Sequence, residues 1–166
     1  MENSFLKQTL TITSLWACLV LGHASAHDDA APKREKRAVS TEETTFGREG
    51  DPKKITRTIA VGMTDAMRYS PMEITVQRGE TVRFIAKNTG KVMHEMVLGT
   101  MQALKEHAEL MKKFPGMEHD EPHMAHVKPG KSEHLVWQFT KAGAFYYGCL
   151  MPGHFEAGMV GKVIVK

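Results

Sequence analysis

The chain has 166 residues, 42% of them hydrophobic and 25% charged, with a formal net charge of +3 at pH 7. A charge so small and so evenly spread argues against a nucleic-acid surface, and the length suits one domain with a core of its own. With 2 cysteines in all, a scaffold stapled by several disulfides is excluded.

The first element in chain order is an export signal. Lys7 precedes an apolar run from Leu10 to Leu21, and Ala24-Ser25-Ala26 supplies the small residues of a peptidase site. This predicts a signal peptide over residues 1–26, cleaved before His27. The run is too short for a permanent span, so no membrane span is expected in the mature form. A lipoprotein signal at Cys18 is the rival pattern, and the bulky Trp16 beside it argues against it. Cleavage would remove one acid, Glu2, and one base, Lys7, leaving the net charge unchanged, and it would remove Cys18. Cys149 then stands alone. A single thiol in an oxidising compartment is buried and inert, paired to another chain, or protected by a metal.

Residues 27–54 are polar, with charges of both signs and little apolar content apart from Val39 and Phe46, and read as a flexible leader. From residue 55 to 166 the pattern becomes short β-prone runs divided by turn signals, as in an all-β sandwich or barrel. The expected strands run from Thr56 to Val61, Met72 to Gln77, Thr81 to Asn88, His94 to Leu98, Glu133 to Thr140, Ala144 to Cys149 and Val160 to Val165. Gly79, Asn88 to Gly90, Pro129-Gly130 and Ala142-Gly143 punctuate them. An insertion over residues 99–130 breaks the pattern. Within it Leu104, Ala108 and Met111 recur at helical spacing, which predicts a helix at about 101–114, stopped by Pro115-Gly116.

The chemistry concentrates near the C-terminal end. In Cys149-Leu150-Met151-Pro152-Gly153-His154-Phe155-Glu156-Ala157-Gly158-Met159 a thiolate, an imidazole and a thioether recur every five residues. Pro152-Gly153 and Gly158 can turn the chain so that all three face one centre. A local loop cannot wrap an ion on every side, so another imidazole must come from a neighbouring strand. His94, just after the Asn88-Thr89-Gly90 turn, is the natural candidate; His134, at another strand start, is the alternative. Two histidines, one cysteine and a weak axial methionine make the ligand set of blue-copper electron-transfer sites, whereas structural zinc sites omit thioether.

These residues carry a resemblance. The region from Ile55 to Lys166 is similar to the cupredoxins, the superfamily of plastocyanin, azurin and rusticyanin. The likeness rests on the copper-loop spacing, on Ala142-Gly143-Ala144-Phe145-Tyr146-Tyr147-Gly148 leading into Cys149, and on the ending Met159-Val160-Gly161-Lys162-Val163-Ile164-Val165. It implies an all-β, Greek-key barrel or sandwich binding one type 1 copper through His94, Cys149, His154 and Met159. The signal peptide, the helical insertion and the Met/His-rich loop more closely resemble the periplasmic cupredoxins of bacterial copper tolerance than plain electron carriers. One departure stands out: many cupredoxins follow the first histidine with asparagine, and this chain has Glu95. In the family the histidine matching His154 exposes a ring edge, which implies a redox partner docking near His154, Met151, Pro152 and Phe155.

A second cluster, Met117, His119, His123, Met124 and His126, lies within the insertion. Its soft ligands suit a second copper ion, yet the spacing matches no fixed template, and a polar loop packing its methionines on the barrel is the other reading. An N-terminal His27 lacks a preorganised third ligand. The expectation is a periplasmic copper protein serving copper tolerance and one-electron transfer; its alternative is a dedicated soluble electron carrier whose insertion is purely structural. An oxidase or nitrite reductase would need further clustered histidines, and no His-x-His pair occurs.

Overall fold

The computed structural model describes residues 38–115 and 120–166. The expected signal peptide, the first part of the expected leader, and Met117 and His119 of the Met/His cluster lie outside the described residues. The elements are β1 (Arg48–Glu49), β2 (Arg57–Thr64), β3 (Arg68–Ser70), β4 (Glu73–Val76), β5 (Thr81–Asn88), β6 (His94–Gly99), α1 (Met101–Lys113), β7 (Met124–Val127), β8 (Ser132–Gln138), β9 (Gly143–Gly148) and β10 (Val160–Val165).

Alternation along these strands decides which side chains face inward. In β10 Gly161, Val163 and Val165 are buried, and in β2 Ile59, Val61 and Met63 are. The strands form two five-stranded sheets in the orders β1-β8-β5-β2-β3 and β4-β10-β9-β6-β7. The β2–β5 and β4–β10 pairs are parallel and the others antiparallel. The result is a Greek-key β-sandwich with a helical insertion. Its inner faces close over Val61, Phe84, Trp137, Phe139, Tyr147 and Val163, all buried. Each such large side chain contributes about 1.5–3 kcal/mol on burial.

The helix forms where its spacing predicts. Thr100 caps it, its Oγ1 accepting the Ala103 N–H at 3.1 Å, and Lys112 and Lys113 in the last turn suit the negative end of its dipole. Leu104, Ala108 and Met111 face the β6 side of the sandwich and close a second core with Val97, Met124 and Leu150. Leu150 directly follows Cys149, so the helix packs against the start of the loop after β9.

Three elements escape the sequence pattern. Strands β1 and β3 have two and three residues, too few to display alternation, and β7, buried at three of its four positions, does not alternate. The boundary at residue 54 also shifts, because part of the expected leader belongs to the sandwich. Phe46 is 7% exposed and stacks on Trp137 with ring centroids 5.0 Å apart. Its carbonyl accepts the buried Trp137 indole N–H at 3.1 Å, and β1 pairs with β8. A buried indole needs an acceptor, and here a segment with one large apolar residue supplies it. Replacing Phe46 with alanine should lower the unfolding free energy by about 3 kcal/mol in urea titration; an unchanged midpoint would return residues 44–50 to the leader.

Candidate metal centre

Cys149 follows β9 and is fully buried, with its N–H bonded to the Met159 carbonyl at 3.1 Å. That bond extends the β9–β10 ladder by one step and closes the base of the loop over residues 150–158. Gly153 and Gly158 turn the loop at φ of 86° and 87°, a left-handed conformation that costs other residues about 1–2 kcal/mol. His154 N–H bonds to the Met151 carbonyl and Met159 N–H to the His154 carbonyl, so the loop folds on itself. Arg68 clasps it from β3, donating to the Ala157 carbonyl at 2.9 Å. From the helix side, Lys112 Nζ meets the Glu156 carboxylate at 2.7 Å.

His94 arrives from the same sheet. It opens β6, whose Val97 to Gly99 pair with β9, and it is fully buried. Asn88 shapes the loop before it: the buried amide donates to the carbonyls of Val92 and Val127, while its oxygen accepts the Gly90 N–H. The ligating atoms of His94, Cys149 and His154 lie within 4.8 Å of one another. Among the described residues this is the one such group of three or more His, Cys, Asp or Glu side chains. Cys149 Sγ lies 3.2 Å from His154 Nδ1, and the rings of His94 and His154 are 5.1 Å apart. Met159 is fully buried in the core cluster that contains Cys149. His134 is instead exposed on β8, in the other sheet, opposite Ile85.

Burial governs the charge of the thiol and of His154. Burial pushes the Cys149 thiol up to about 12, against the opposing hydrogen bonds from the Glu95 and Met151 backbones. Burial and then the nearby His94 ring hold His154 below the ordinary imidazole range, which leaves it neutral with a lone pair at pH 7. His94 Nδ1 is buried with no hydrogen-bond partner. An orphaned polar atom of this kind costs about 1–3 kcal/mol, and a bound soft cation would remove that cost. A cysteine sulfur and two imidazoles in one group, with a buried thioether in the same core cluster, fit copper better than any hard ion.

Glu95, the departure from the family pattern, takes an unexpected place. Its backbone N–H donates to Cys149 Sγ at 3.3 Å and its carbonyl accepts from Tyr69 Oη at 2.5 Å. Its buried carboxylate turns away to His126 Nδ1, 2.9 Å distant on β7. Asp65, in the turn between β2 and β3, lies 3.1 Å from His94 Nε2. Nothing in the sequence around Asp65, Arg68 or His126 signals these contacts, since each is made across elements far apart in the chain.

The described members of the Met/His cluster have separate surroundings. Met124 packs beneath α1, His126 meets Glu95, and His123 lies edge-on to Phe46 at 5.6 Å and to Trp137 at 6.0 Å. Around His154, Pro152 is exposed, and Met151 and Phe155 are half-buried, Phe155 leaning on the α1 cluster.

The sandwich and this centre define a class: residues 55–166 match the family described as copper binding proteins, plastocyanin/azurin family, and the chain belongs to that family. It is a copper-binding cupredoxin whose His-Cys-His group is compatible with a type 1 copper. Among its particular relatives, it is 47% identical over 167 residues to the copper-resistant cuproprotein CopI of Rubrivivax gelatinosus, with 100% of both chains covered. It is 35% identical over 150 residues to the copper-resistant cuproprotein CopI of Pseudomonas aeruginosa, covering 73% of this chain and 82% of that one. The solved structure of auracyanin B superposes with a TM-score of 0.62 at 19% identity, over 73% of this chain and 96% of the other, a likeness of fold.

In the metal-free protein Cys149 should resist alkylation at neutral pH and react fully once the chain is unfolded in guanidinium; rapid labelling of the native form would contradict its burial. A thiol whose folded value lies above its ordinary 9.0 favours the fold while protonated. That contribution is complete below about 9 and is lost as pH rises toward about 12. Tyr69 and Tyr147, raised mainly by burial, act in the same sense. Thermal melts of the metal-free protein should therefore fall across that alkaline range.

Proposed function

We propose that this chain is an exported, periplasmic type 1 copper protein that serves copper tolerance, binding copper through His94, Cys149, His154 and Met159 and exchanging single electrons with a partner. The observation that carries the reading is a fully buried thiol with two imidazoles converging on it. Export is supported by the pattern of residues 1–26. The tolerance role is supported by the two relatives described as copper-resistant.

When bound, copper supplies a one-electron couple. The residues' part is to make the change of oxidation state cheap. Thiolate and thioether suit Cu(I), imidazoles accept both states, and a closed loop on a rigid sheet holds all four donors in one compromise arrangement. The Glu95 N–H bond to the sulfur draws electron density from it, and burial excludes water from it. His154 is half-buried in a loop that reaches the surface. Pro152, with the half-buried Met151 and Phe155, forms the apolar rim on which a redox partner would dock. Turnover of an organic substrate is no part of this proposal.

Cu(II)-loaded protein should show an intense visible charge-transfer band that Cys149→Ser abolishes, while Met159→Leu keeps colour but shifts the reduction potential. A band that survives loss of the thiol would sink the assignment. In cells, deletion of the gene should sensitise growth to copper, and the wild-type chain but not Cys149→Ser should restore it. A respiratory defect at low copper without copper sensitivity would favour the dedicated carrier.

A further inference from the structure

We infer that Asp65 is a positioning residue for the copper site, a carboxylate that fixes the tautomer of His94 and, by its charge, biases the site toward Cu(II). The inference rests on the copper reading above. Its observations are geometric. Asp65 Oδ1 lies 3.1 Å from His94 Nε2, and the other ring nitrogen, Nδ1, is buried with no partner. A carboxylate is an acceptor only, so Nε2 carries the proton and Nδ1 keeps its lone pair for a metal.

The carboxylate is itself fixed. Asp65 accepts the Lys91 N–H at 2.8 Å through Oδ2 and the Val92 N–H at 3.4 Å through Oδ1, both from the loop that leads into His94. Gly90 comes so close that a Cβ there would overlap the Asp65 carboxylate. Both backbone N–H groups point at the carboxylate and favour its charged form. Two functions follow from one side chain: it ties the β2–β3 turn to the His94 loop, and it places a negative charge behind an imidazole. A carboxylate hydrogen-bonded to a ligating imidazole raises its basicity, and loss of such a partner typically weakens metal binding 10–100-fold. The more highly charged Cu(II) benefits more than Cu(I) from a more basic ligand. Asp65 is 38% exposed, and solvent screening places the expected effect at the lower end of that range.

Asp65→Asn removes the charge while its single amide oxygen can still accept the Val92 N–H and the His94 Nε2–H, the Lys91 N–H contact being given up because an amide NH2 cannot accept. Competition titrations with a chelator should show Cu(II) affinity reduced about tenfold with Cu(I) affinity little changed. The potential should then rise by about 59 mV, the one-electron equivalent of that ratio. A variant with wild-type Cu(II) affinity and potential overturns the inference and reduces Asp65 to a loop tie. A second measurement needs neither copper nor a variant: the long-range proton–nitrogen spectrum of the metal-free wild-type protein should show His94 as the Nε2–H tautomer, and the Nδ1–H tautomer would overturn the inference. If the wild-type protein shows no charge-transfer band with Cu(II), the copper reading fails and the charge bias with it, while the tautomer still reports the Asp65–His94 bond.

Discussion

Everything around the centre answers to one constraint: a sulfur buried without water must receive its polar partners from the protein. Cys149 obtains a backbone N–H from Glu95, fifty-four positions away in sequence, and an imidazole from His154 in its own loop. The first partner requires β6 and β9 to lie side by side, and their pairing from Val97–Gly148 to Gly99–Tyr146 provides that. The second requires a loop that doubles back within five residues, which Gly153 and Gly158 permit. A displaced strand or a straightened loop would leave the thiol in an apolar pocket, and burial has already made its ionisation costly.

The loop that carries His154 between Cys149 and Met159 is braced on both sides. On one, Arg68 reaches the Ala157 carbonyl from β3 in the opposite sheet. On the other, α1 packs Leu104, Ala108 and Met111 against Val97 and Leu150, and its Lys112 bridges to Glu156. The insertion is thus part of the wall behind Cys149 as well as the carrier of a Met/His-rich segment. Lys112 is exposed and shared between Glu109 and Glu156, so its ion pairs add little and the buried apolar contacts do most of the bracing.

Two acidic side chains flank the histidines in different ways. Glu95 directs its main chain to the sulfur and its buried carboxylate to His126 on β7, joining the first strand of the site to the insertion's far end. Asp65 sits near the surface, behind the other side of the His94 ring. Of the two, only the Asp65 carboxylate faces a histidine of the site; that of Glu95 is directed to His126.

The strands β5 and β10 and the helix α1 match their sequence patterns because each is long enough to show a period, whether alternation of two or the three-to-four spacing of Leu104, Ala108 and Met111. The candidates Cys149, His154 and Met159 stand out in the sequence for a similar reason: they fall at five-residue spacing around one short loop, and the structure brings the first two together. His94 was reachable only as one of two candidates, since the choice between it and His134 depends on which strand lies beside β9, and that is a matter of sheet order. The role of Phe46 under Trp137, the Asp65 contact behind His94 and the Glu95–His126 pair were invisible, each joining residues 29 to 91 positions apart with no periodic trace. The sequence by itself determined which donor types the C-terminal loop offers and the β character of the chain, because ligand type and side-chain period are local properties. Only the tertiary structure decided which imidazole meets the thiol and which carboxylates surround them, because those neighbours are set by strand pairing across the whole domain.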